Sequence, residues 1–186
     1  GVSSVLTATI TGTGGGVSLK GTLKISPLLL SVTASPASVT GGSPSIGKVT
    51  LNGPAPAGGA VVTLSSNNSA AAVPASVTVA AGETATSFTI TTNPVSGNTA
   101  VMITAKQAGT AVTRSLTVKP AVIASIGLNP TSVFGGAVST ATVTLTGPAP
   151  TSGVIVTLGS SSDKASLPLT VLVTAGSKSA QVVVST

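Results

Sequence analysis

Glu83 and Asp163 are the whole acidic complement of this 186-residue sequence, which contains no His, Cys, Trp or Tyr. Acid–base, nucleophilic and metal chemistry draw on those residue types. The sequence therefore points away from an enzyme and offers no catalytic residue, no cofactor site and no metal site. Each acid sits in an expected loop, as Gly82-Glu83 and Ser162-Asp163, where a solvated turn residue accounts for it. Bridging calcium takes several carboxylates per ion. An intramolecular Lys–Asn isopeptide bond needs a neighbouring acid, which so few carboxylates do not supply.

The remaining polar residues give weak signals of chemistry. Eight Lys and Arg set the net charge at +6, but Lys20 and Lys24 are the closest pair on either side of long neutral stretches. Nucleic-acid binding needs a dense basic face with stacking aromatics, so no nucleic-acid partner is expected. Apolar residues alternate with Thr and Ser, and no run approaches the ~20 residues of a membrane-spanning helix, so no membrane insertion is expected. Asn67-Asn68-Ser69 is an N-glycosylation sequon in an expected turn, with an unmodified solvated turn as the plainer reading of Asn67. Gly14-Gly15-Gly16 joins two expected strands and reads as a hairpin turn, not a phosphate loop. Phe88 and Phe134 read as core or edge packing, because a sugar-stacking platform normally uses Trp or Tyr.

What must position these residues is an all-β fold. The chain has 30 Thr, 27 Ser, 22 Gly and 12 Pro, which describes short β-branched segments between turns. Its internal similarity is stronger still. Ser31-Val32-Thr33-Ala34-Ser35-Pro36 returns as Ser125-Ile126-Gly127-Leu128-Asn129-Pro130, an offset of 94, and both copies lead to Gly-Gly, at Gly41-Gly42 and Gly135-Gly136. At the same offset Gly53-Pro54-Ala55-Pro56 meets Gly147-Pro148-Ala149-Pro150. Residues 1–27 instead match the close of a repeat, 94–120, at an offset of 93: Ile10 falls on Ile103, Leu23 on Leu116 and Ile25 on Val118.

The expected organisation is thus circularly cut, with both ends partial. Residues 1–27 are the last two strands of a repeat, 28–120 a complete repeat of about 93 residues, and 121–186 a repeat lacking its last two strands. Period-2 alternation between turn signals places strands in the complete repeat near 29–35, 45–52, 60–66, 75–80, 85–92, 99–106 and 110–118. Expected inward positions include Val49, Leu51, Val62, Leu64, Val77, Val79, Phe88, Ile90, Val101, Ile103, Leu116 and Val118. The second repeat carries Val143, Leu145, Val156, Leu158, Val171, Val173, Val182 and Val184 at the matching places. Seven short strands in that length have the rhythm of an immunoglobulin-like β-sandwich, without its disulfide and Trp.

The segments GPAPAGGAVVTLSS, VPASVTVAAGETATSFTITT and AVMITAKQAGTAVTRSLTVKP, with degenerate copies in GPAPTSGVIVTLGS and SLPLTVLVTAGSKSAQVVVST, carry a further likeness. With them the whole chain resembles the bacterial Ig-like tandem-repeat domains of large secreted and cell-surface proteins, which form adhesin stalks and extracellular filaments. The resemblance implies an exported protein, extracellular or at the cell surface, and carries over no binding or catalytic residues. Gly1-Val2-Ser3-Ser4 begins no signal peptide, so the localisation rests on the resemblance.

A sandwich without its last two strands exposes core residues and unpaired backbone. The piece that fits lies at the other end of the sequence. Inter-unit strand complementation is therefore expected, with Leu6, Ala8, Ile10, Leu19, Leu23 and Ile25 placed against Val182 and Val184. The partner is the protein itself, in a head-to-tail homopolymer with lateral bundling. The units are either strand-exchanged or one continuous repeat polypeptide in which Thr186 runs on into the next Gly1. The alternative is a spacer in an adhesin whose ligand-binding tip lies elsewhere.

Overall fold

A computed structural model of the chain describes residues 6–25 and 28–186, with Ile25 described in its backbone alone. All regular structure among them is β, and no helix is long and apolar enough to cross a membrane. The strands are β1 (Leu6–Gly14), β2 (Val17–Ile25), β3 (Leu29–Ser35), β4 (Ser38–Thr40), β5 (Ser45–Leu51), β6 (Ala60–Ser66), β7 (Ala71–Ala72), β8 (Ser76–Val79), β9 (Ala85–Thr92), β10 (Thr99–Gln107) and β11 (Thr110–Lys119). Then follow β12 (Ile123–Asn129), β13 (Val138–Leu145), β14 (Val154–Thr157), β15 (Thr170–Val173) and β16 (Ser179–Ser185).

Strands β3 to β11 make a closed sandwich. One sheet runs β4-β11-β10-β6-β8 and the other β3-β5-β9-β7. Alternation puts every second side chain inside. Val32, Val49, Val62, Ile90, Val101, Ile103, Leu116 and Val118 are buried together in one cluster. The expected inward positions are buried except Val77, which is half-buried against the core. The short strands β4 and β7 were not expected from the sequence. Three or two residues are too few to show a period, and each forms because a neighbour supplies its ladder: β4 lies parallel on β11, and β7 antiparallel on β9.

Strands β12 to β16 repeat part of this pattern around a second, smaller core that includes Val143, Leu145, Val156, Leu158 and Val173. Local details recur 94 residues apart. Ser45 Oγ donates to Pro36 O at 2.8 Å, and Ser139 Oγ to Pro130 O at 2.7 Å. Thr92 Oγ1 donates to Ser43 O at 2.6 Å, and Thr186 Oγ1 to Ala137 O at 2.8 Å.

The two cores differ by a size exchange. Gly47 lies opposite Phe88 on β5 and β9, whereas Ala141 lies opposite Val182 on β13 and β16. A Cβ on Gly47 would collide with the Phe88 ring. We expect Gly47→Ala to destabilise the first sandwich by about 1–3 kcal/mol through overpacking, and Phe88→Val to cost about 2 kcal/mol through a cavity. The double variant reproduces the Ala–Val pair and should recover at least ~1 kcal/mol of the summed loss in a denaturant-melt cycle. Strict additivity would contradict this packing account.

Candidate assembly interface

Strands β1 and β2 form a hairpin that pairs with no other described strand. Its two-residue turn, Gly15-Gly16, has φ of 58° and 77°, the doubly positive geometry of a type I′ connection. The β10–β11 hairpin turns in the same way at Ala108-Gly109, with φ of 46° and 86°. The registers also agree, 93 residues apart, from end to end. Leu6 faces Ile25 as Thr99 faces Val118, and Gly14 faces Val17 as Gln107 faces Thr110.

Residues directly opposite in an antiparallel pair point to the same face. One face of the β1–β2 hairpin therefore carries Leu6, Ala8, Ile10, Leu19 and Leu23, with glycines between, and the other carries Thr7, Thr9, Thr11, Thr13, Ser18, Lys20, Thr22 and Lys24. In β10–β11 the residues in place of Ala8, Ile10 and Leu23 are Val101, Ile103 and Leu116, all fully buried. Here Ile10 is 63% exposed, Leu19 73% and Leu23 54%. Ile25 faces Leu6 in the ladder, but its side chain lies outside the described residues, as do Gly1–Ser4, Val5, Ser26 and Pro27 of the expected closing piece. A lone two-stranded hairpin is marginal in water, and an uncovered apolar face makes it more so.

The matching deficit lies in the second sandwich. Its smaller sheet consists of β14 and β15 alone, whereas β6, which corresponds to β14, pairs with β8 on one side and β10 on the other. The edge of β14 away from β15 is unpaired among the described strands. Across from it, β12 is exposed along its whole length, with Ile126 at 59% where Val32 of the first sandwich is buried. Val182 and Val184 are half-buried, where Phe88 and Ile90 are buried. A cleft of about 600 Å³ opens between Ile126, Leu128, Ala141, Leu167 and Val184. Sequence reasoning had named Val182 and Val184. Ile126 and Leu128 enter the sequence analysis only as part of the repeat, although their alternation in 125–130 carries the same signal.

The other singled-out residues fall elsewhere. Asp163 pairs with its exposed neighbour Lys164 at 3.1 Å, and Glu83 sits in the loop where its carbonyl accepts from Ala55 N–H. No group of three or more His, Cys, Asp and Glu gathers among the described residues. Asn67 is exposed, and its Oδ1 accepts from Met102 N–H at 2.8 Å, tying the end of β6 to β10. Phe88 is core. Phe134 is not packed as expected: it is 92% exposed, and among the described residues no strand lies beside its segment as β11 lies beside β4.

No protein-family model and no curated protein matches this sequence. Among solved structures it is similar to the D0-D1 domain of Intimin, with 18% identity, 85% of each chain covered and a TM-score of 0.42.

Proposed function

We propose that the chain is a structural protein: a tandem array of immunoglobulin-like sandwiches, about 93 residues each, that builds an extracellular filament, sheath or surface stalk. Units join head to tail by strand complementation. The β1–β2 hairpin of one copy adds to the free edge of β14 in another and lays its apolar face on Ile126, Leu128, Val182 and Val184. The observation that carries this reading is the shared register of β1–β2 and β10–β11, since the latter already fills that place in the first sandwich. Transferring the β10–β6 pairing puts Thr13 opposite Thr157, the last residue of β14, and continues past its end with Gly12 opposite Leu158, Thr11 opposite Gly159 and Ile10 opposite Ser160.

In this reading a second copy receives the hairpin, since β1–β2 pairs with no other described strand of its own chain. A contact between two different patches propagates as a fibre where its rotation does not close into a ring. Only ten charged residues, spread along the chain, leave the Thr- and Ser-rich outer faces free to bundle laterally at small electrostatic cost. Sedimentation of the unaltered chain over a range of concentrations tests the proposal, with polymers in place of a 17.4 kDa monomer as the expected result.

A further inference from the structure

The contact between the two sandwiches of one chain includes two short loops. Gly42, at φ 89°, receives the Pro148 ring so closely that an added Cβ would stand 2.5 Å from Pro148 Cγ. A Cβ on Gly147 would likewise stand 2.7 Å from Thr40 Cγ2 and 3.1 Å from Gly41 O. Gly42 is thus seated against Pro148 with no room for a side chain, and Thr40 against Gly147.

Both loops exist twice. Phe134-Gly135-Gly136 stands in place of Thr40-Gly41-Gly42, and Gly53-Pro54 in place of Gly147-Pro148. Two backbone features recur in the second copies. Gly136 has φ 84°, and its N–H donates to Thr186 O as Gly42 N–H donates to Thr92 O. The turn after Pro54 is closed by Ala55 N–H to Glu83 O, and the turn after Pro148 by Ala149 N–H to Ser177 O. Yet no loop seats on these second copies: a Cβ on Gly53 or Gly136 would meet no atom within 4 Å, and Phe134 is almost fully exposed.

We infer that the Phe134-Gly135-Gly136 loop of one copy seats on Gly53-Pro54 of the next copy, repeating between molecules the joint already made within each. The inference rests on the head-to-tail reading and adds a second contact separate from the hairpin. It commits the surface to a second copy of this chain, because the within-chain joint displays both halves of that surface already engaged. Phe134 takes the place of Thr40, so its ring lies over the bare Gly53 backbone and the inter-copy joint covers more apolar surface than the internal one. With the same loops at every junction, each sandwich follows the last by one fixed rotation, and the polymer is a stiff rod.

The chain has no cysteine, so a paired substitution reads the joint directly. Thr40 Cβ lies 3.7 Å from the Cβ position of Gly147, within disulfide range. Under mild oxidation Thr40→Cys with Gly147→Cys is expected to lock within the chain and run as a monomer on a non-reducing denaturing gel. Phe134→Cys with Gly53→Cys is expected to give a ladder in steps of 17.4 kDa. Gly53 tolerates the change, having open space around it and no positive φ. Polymers that sediment but give no ladder, or a Phe134/Gly53 pair that locks within one chain, overturn the joint and leave the hairpin reading standing. Absence of any polymer from the unaltered chain overturns both.

Discussion

Replacing Ile10 and Leu23 with aspartate is expected to leave a folded monomer that no longer polymerises. Both side chains are more than half exposed in the single chain, so their loss costs the monomer little. In the polymer they take the places that Ile103 and Leu116 hold in the first sandwich, where both are fully buried. Burying each is worth about 1.5–3 kcal/mol, and an unpaired aspartate in the same place adds a desolvation penalty of several kcal/mol. Association should therefore weaken by more than about a thousandfold, read by sedimentation at matched concentrations. The melting of the 28–120 sandwich should stay unchanged, whereas aspartate at Ile103 and Leu116 should unfold it. If the Ile10 and Leu23 variant polymerises normally, the hairpin is not the linker.

Moving the hairpin within the chain has an equally large expected effect. In the first sandwich a single residue, Asn93, separates Thr92 from Pro94, and β10 begins five residues later at Thr99. A rearranged chain of residues 28–186, then asparagine, then 1–27 offers the second sandwich its own hairpin through the same short connection. The donor and acceptor then meet within one molecule at high effective concentration. This protein should be monomeric at every concentration and carry two closed sandwiches. The thermal transition of its second sandwich should rise above that of the Ile10 and Leu23 double variant, since Ile126, Leu128 and Val184 become covered. A rearranged chain that still forms fibres would contradict complementation.

The strands were legible because alternation and turn residues agree along most of the chain. The ranges 29–35, 60–66 and 85–92 coincide with β3, β6 and β9. The hairpin at 6–25 was legible from its offset of 93 and its Gly-Gly turn. What could not be read were features made by tertiary partners. β4 exists because β11 lies beside it, and the equivalent residues 132–134 stay irregular where no such partner stands. Phe134 looked like packing material by residue type, yet it stands exposed where no such neighbour lies among the described residues. The Gly47–Phe88 fit and the seat of Pro148 on Gly42 are contacts between residues 41 and 106 positions apart, with no local pattern to announce them. Sequence still marked their glycines, because Gly-Gly and Gly-Pro-Ala-Pro recur at the same offset.

The most direct test of the central claim is analytical sedimentation of the unaltered chain from dilute to concentrated solution, with negative-stain images of the heaviest fraction. Species should grow with concentration in whole multiples of 17.4 kDa and appear as unbranched rods. A single compact 17.4 kDa species at every concentration would contradict it.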